Sequence, residues 1–169
     1  MFAQSGPAEL AYEITGFSDG ADVLLIHAGV TDRRSWQHVV KRLAPRHRCI
    51  AYDMRGYGET QYEHEDRWSP VADAVAVLDA AGVGEAVVVA SSMGGQTAID
   101  LALGHPDTVA GLALIGPAIR GAPYQSSWMA QRPSSIPRSR RPRRPVTLLR
   151  SIGWKPECGS MVRPPTKAV

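Results

Sequence analysis

Cysteine is scarce. Cys49 and Cys158 are the only two in 169 residues, too few for a disulfide framework. No Cys/His cluster has metal-ligand spacing, so no metal site is expected. No apolar run approaches the roughly 18–20 residues that a membrane span requires. The N-terminal stretch MFAQSGPAELAYEITG lacks the basic start and apolar stretch of a signal peptide. These absences make a soluble, cytoplasmic protein without membrane contact the expectation. No P-loop lysine and no dinucleotide-binding glycine spacing occur, so no cofactor is expected. Internal repeats are absent. Histidine is thin as well: of five in the chain, only His105 lies beyond His64.

Hydrophobic residues make up 44% and charged residues 21% of the chain, a globular balance. The length suits one domain with a real core, or part of a larger one. The net charge of +3 hides a split. Residues 1–120 carry 9 basic and 15 acidic side chains, whereas residues 121–169 carry 10 basic and 1 acidic. Prolines divide in the same direction, 5 before position 121 and 8 after it. The expected organisation is therefore a folded segment over 1–120, followed by a basic, Pro- and Arg-rich tail over 121–169. The tail's stretch QRPSSIPRSRRPRRP shows no apolar periodicity, and disorder is expected there.

Within the first segment, alternation at Leu10, Tyr12 and Ile14 predicts a half-buried strand. Val23–Ile26, Cys49–Tyr52, Ala86–Ala90 and Val109–Ile115 are continuous apolar runs, as expected of strands covered on both faces. Between them lie helical patterns. Trp36, Val39, Val40 and Leu43 share one face behind a cap at Thr31 or Asp32. Ser69-Pro70 reads as an N-cap with proline in the first turn, opening a helix that carries Val71, Val75 and Leu78. Met93–Leu103 is helical, with Gly104 and Pro106 as stops. This alternation predicts an α/β fold: a doubly wound, mostly parallel sheet with helices on both faces. In such sheets chemistry collects at the carboxyl ends of the strands. Here those ends hold His27-Ala28-Gly29, Asp53-Met54-Arg55-Gly56 and Ser91-Ser92-Met93-Gly94.

Ala90-Ser91-Ser92-Met93-Gly94-Gly95 lies between a strand and a helix and resembles the nucleophile elbow, G-x-S-x-G, of the α/β-hydrolase family. The elbow needs small residues two before and two after the nucleophile. Ser92 has Ala90 and Gly94 there, whereas Ser91 would have Val89 and Met93, so Ser92 is the candidate. Its competing role is a helix N-cap. His27-Ala28-Gly29 resembles the family's histidine-glycine oxyanion loop. The resemblance implies that the backbone N–H groups of Gly29 and Met93 receive a developing oxyanion, with His27 structuring the loop. Asp53-Met54-Arg55-Gly56-Tyr57-Gly58-Glu59-Thr60 matches the family's D-x-R-G-x-G-x-S loop, with threonine for serine. There Asp53, Arg55, Gly56 and Gly58 are expected to shape a sharp turn.

The resemblance runs from about residue 9 to about residue 118 and implies an incomplete α/β-hydrolase fold with a serine nucleophile. Esterase, lactonase, carbon–carbon hydrolase and perhydrolase branches stay open. In the family a catalytic acid and then a histidine follow the serine. After Ser92 only His105 remains, about 20 Å along a helix that Ser92 itself begins, and the sole acid beyond Asp107 is Glu157. The expectation is a serine hydrolase for an ester, lactone or similar small-molecule acyl substrate, truncated and weakly active or inactive. The alternative is a non-catalytic binding module whose basic tail meets polyanions. With only Tyr124, Trp128 and Trp154 there to stack on bases, nucleic acid is not the expected partner. Residues 109–115 would form an apolar edge strand, a route to self-association. Trp36 and Cys49 are expected to pack in the core, and Arg33 and Arg34 to face solvent.

Overall fold

Six strands form one sheet in the order β1-β2-β4-β3-β5-β6. They are β1 (Phe2–Ser5), β2 (Ala8–Thr15), β3 (Val23–Ile26), β4 (Cys49–Tyr52), β5 (Ala86–Ser91) and β6 (Val109–Ile115). The computed structural model describes residues 1–17, 20–63 and 68–121. The expected disordered tail over 121–169 thus falls outside the described residues, Gly121 excepted. β3, β4, β5 and β6 run parallel, while β2 pairs antiparallel with both β1 and β4. The mostly parallel sheet expected from the apolar runs is therefore present, with an antiparallel hairpin at one edge. β1 carries little signal: Phe2 is exposed, and only Ala3 and Ser5 point inward.

Strand alternation assigns side chains to two layers. Leu24, Ile26, Ile50, Tyr52, Val88 and Ala90 join one core, against α2 (Pro70–Ala80) and α3 (Met93–Gly104). Val23, Leu25, Cys49 and Ala51 join the other, beneath Trp36 and α1 (Gln37–Leu43). Both faces of the centre are covered, which is why those strands read as unbroken apolar runs. At the far edge, among the described residues, β6 pairs only with β5 and leaves Ala113 and Ile115 exposed.

Helix starts follow their caps. Asp32 accepts from the Arg34 N–H and opens a short 3-10 turn, Arg33–Trp36, that leads into α1. Ser69 accepts from the Ala72 N–H ahead of Pro70. A buried charged cluster joins α2 to the sheet. The Arg55 guanidinium forks onto Asp73, with both N···O distances 2.9 Å, and also donates to the Ser5 carbonyl at 2.9 Å. The Ser5 hydroxyl completes it by donating to Asp73 at 2.6 Å, and Trp68 lies over the guanidinium. A buried charge is tolerated only when its partners are this complete. The result anchors one end of the loop that follows β4.

Asp53 anchors the rest of that loop. Its buried carboxylate accepts from the N–H of Arg33 at 2.7 Å and of Glu59 at 2.9 Å, and forms an ion pair with the Arg33 guanidinium. Arg33 is therefore not on a solvated helix face; its side chain turns inward, 16% exposed, while that of Arg34 remains 79% exposed. Thr60 donates to the Asp53 carbonyl at 2.6 Å and accepts from the Ala11 N–H at 3.0 Å. Gly58 adopts φ +55°, and a Cβ there would lie 2.0 Å from the Asp53 carboxylate.

Gly82 shares the left-handed backbone but has open space around it. Alanine at Gly82 should cost about 1 kcal/mol, the backbone term alone. Gly58→Ala should cost about 3 kcal/mol more, because it must also displace a buried, ion-paired carboxylate. Urea denaturation of the two variants beside the parent protein checks this difference.

Candidate active site

β5 delivers the chain to Ser92 with little room to turn. The first turn of α3 lies against the end of β3: a Cβ on Gly94 would sit 2.5 Å from the His27 carbonyl oxygen and 2.6 Å from that of Ile26. One residue on, a Cβ at Gly95 would meet Pro117 at 2.5 Å. Two residues before Ser92, Ala90 is fully buried. To bring the helix this close, the turn is compressed into one residue. Ser92 has φ 50° and ψ −115°, and it is the only non-glycine residue with positive φ among those described. Such a conformation costs on the order of 1–3 kcal/mol and persists only where its surroundings hold it. Three hydrogen bonds do so: the Ser92 N–H donates to Ile115 at 3.1 Å, and its carbonyl accepts from Gly95 at 3.0 Å and Ala118 at 2.8 Å.

The Ser92 residue is exposed, and its side chain makes no capping bond to α3. The N-cap alternative is thus not what this serine does. Ser91 lies within β5 in ordinary strand pairing.

Beside the elbow runs the loop after β3. A Cβ on Gly29 would sit 3.0 Å from both Sδ and Cε of Met93, so the two segments touch. Neither the Gly29 N–H nor the Met93 N–H has an acceptor among the described residues. That of Met93 belongs to the first turn of α3, where N–H groups lack helical partners and the helix dipole favours negative charge.

His27 is wholly buried. Its Nε2 accepts the Met54 N–H at 3.0 Å, which leaves the ring proton on Nδ1 to donate to the Ala28 carbonyl at 2.7 Å. Burial holds its pKa below the ordinary 6.5, against the raising effects of the Ala28 bond, Asp53 and Asp32. Both nitrogens are committed, so this imidazole is a neutral brace between two loops. None of the other described histidines is hydrogen-bonded to Ser92. His38 is on α1, His47 bonds the Ala21 carbonyl at the opposite end of the sheet, and His105 closes α3; His64 lies outside the described residues. Among the described residues, no imidazole or carboxylate is bonded to the Ser92 hydroxyl.

The alpha/beta hydrolase fold family matches residues 23–150 of the sequence. The chain belongs to that family. A 2-hydroxymuconate semialdehyde hydrolase of Pseudomonas sp. strain CF600 is 40% identical over 108 residues, covering 59% of this chain and 37% of the relative. A 2-hydroxy-6-oxo-6-(2'-aminophenyl)hexa-2,4-dienoic acid hydrolase of Metapseudomonas resinovorans is 32% identical over 125 residues, covering 69% and 42%. Among solved structures, an N-acyl homoserine lactone degrading enzyme superposes with a TM-score of 0.64 at 28% identity, covering 69% of this chain and 45% of that one. The chain spans about two fifths of the length of these curated relatives.

Several residues that shape this hydrolase-fold site carry no sequence signal of their own. Tyr57 fills an unspecified position of its motif, yet its hydroxyl donates to the Gly29 carbonyl at 2.7 Å. Arg33 reaches Asp53 from 20 residues away. Pro117 follows the last predicted strand and seats Gly95. Only pairing across the fold reveals these roles.

Ser92→Gly and Ser92→Ala both delete the hydroxyl, but only glycine relaxes the backbone. The glycine variant should be the more stable by about 1 kcal/mol, as read from thermal or urea unfolding. His27 supplies a pH signature. Its native pKa is lowered, so the unfolded chain takes up a proton that the native state refuses. Stability should hold above about pH 6.5 and fall as pH drops below it, by up to about 1.4 kcal/mol per pH unit. Denaturant midpoints between pH 5 and 8 should lose this component in His27→Gln.

Proposed function

We propose that this chain carries the nucleophile and the oxyanion-binding groups of a serine hydrolase acting on an ester, lactone or similar acyl carbon of a small molecule. The observation that carries the reading is Ser92, an exposed hydroxyl held on a strained backbone between β5 and α3. The Met93 N–H follows Ser92 directly in the chain, Gly29 touches the Met93 side chain, and neither N–H has an acceptor among the described residues. The hydrolase names of the relatives support the reaction class.

In the proposed reaction the Ser92 oxygen adds to the acyl carbon, and the carbonyl electron pair moves onto oxygen. The Gly29 and Met93 N–H groups stabilise that oxyanion. Collapse re-forms the carbonyl and expels the leaving group, which takes a proton; water then cleaves the acyl-serine. The hydroxyl proton must also be removed, and no described side chain is placed to take it. A serine without a base stays protonated and attacks slowly. Residual reactivity then rests on the oxyanion donors and on substrate binding. The exposed Val30 and the partly exposed Met93 offer an apolar rim for the substrate.

A fluorophosphonate probe tests this. The full chain should label slowly, on Ser92 by peptide mapping, and Ser92→Ala should abolish the label. Labelling that survives that substitution, or that maps to another residue, rejects the assignment.

A further inference from the structure

Gly29 poses a mechanical problem. Space around it is tight: a Cβ would sit 3.0 Å from the Met93 side chain and 3.3 Å from the Tyr57 hydroxyl. Yet glycine is the residue whose backbone swings most freely, and an N–H that receives an oxyanion gains from being preset. Peptide units are planar and trans, so gripping a carbonyl orients the N–H of the same unit in the opposite direction. On one side of Gly29, the Ala28 carbonyl accepts from His27 Nδ1 at 2.7 Å, the Thr31 N–H at 3.1 Å and the Thr31 hydroxyl at 3.2 Å. This fixes the plane that contains the Gly29 N–H. On the other side, the Gly29 carbonyl accepts one bond among the described residues, from Tyr57 Oη at 2.7 Å.

We propose that Tyr57 is a positioning residue whose hydroxyl clamps the second peptide plane of Gly29 and so keeps the residue that offers the oxyanion N–H from swinging about its own torsions. The proposal rests on the serine hydrolase reading above and adds the group that keeps its oxyanion loop from moving. Tyr57 is itself well braced. Its ring meets His27 edge-on with centroids 5.1 Å apart, and its N–H donates to the Met54 carbonyl at 3.0 Å. The loop after β4 thereby grips the loop after β3 twice: the Met54 N–H sets the His27 tautomer, and the Tyr57 hydroxyl sets the Gly29 carbonyl. With both carbonyls held, neither torsion at Gly29 can turn without breaking a hydrogen bond.

Tyr57→Phe removes the hydroxyl and keeps the ring against His27. The test compares this variant with the parent chain in two ways. The first is the 15N heteronuclear NOE and hydrogen exchange of the Gly29 amide. The second is the rate of fluorophosphonate labelling at Ser92. In Tyr57→Phe the Gly29 amide should become more mobile and exchange faster, while amides of β3 and β5 stay unchanged. Labelling should slow by about tenfold. An unchanged Gly29 amide overturns the proposal, as does a looser amide with an unchanged labelling rate. Should the parent chain fail to label at Ser92, the hydrolase reading falls by itself, and the clamp is judged on the Gly29 amide alone.

Discussion

The close seat of α3 on the end of β3 governs the rest of the molecule. Gly94 allows the helix to approach two strand carbonyls with no side chain between them. That proximity leaves the chain one residue in which to pass from strand to helix, and Ser92 takes it in a conformation that few non-glycine residues adopt. The same seat brings Met93 against Gly29, so the helix start and the β3 loop meet as a consequence of packing. The cost is local, and it is offset by bonds to β6 and to the segment after it. In energetic terms the elbow is a strained spring held by the sheet's far edge.

Beneath it lies a scaffold of buried polar groups. Asp53 and Asp73 are both almost wholly buried, each satisfied by an arginine and by further donors. Arg33 Nε is buried without a hydrogen-bond partner among the described residues, and so are two aromatic groups, the Tyr52 hydroxyl and the Trp36 indole N–H. Burial and the nearby Asp73 keep the Tyr52 phenol protonated far above its ordinary range. Their large apolar bodies still favour burial, since an aromatic ring in the core outweighs one orphaned polar atom.

Much of this was legible beforehand. Continuous apolar runs marked β3, β4 and β5, which are covered on both faces, and also β6, whose run is apolar although Ala113 and Ile115 stay exposed at the edge; small residues around Ser92 marked where backbone had to pass close. Ser69-Pro70 and Asp32 marked helix starts through local chemistry. The hydrogen-bond partners were not legible. Arg33 reads as one of two exposed arginines, and its inward turn depends on a carboxylate 20 positions away. Tyr57 reads as filler between glycines, and its role depends on a carbonyl 28 positions away. β1 was hidden because its inward residues, Ala3 and Ser5, are small. Periodicity records which face is covered; it holds no record of which distant atom completes a bond.

The placement of β3 at the centre of the sheet has a kinetic meaning. It needs β4 on one side and β5 on the other, and β5 begins only at Ala86. During synthesis the central strand therefore waits, the backbone groups on its β5 side unpaired, until the chain has emerged through β5. Pairing across such separations must meet the loop-closure entropy before it gains any contact. The elbow forms later still, since Ser92 leans on Ile115 and Ala118. The turn at Ser92 is thus among the last features this chain can acquire as it leaves the ribosome.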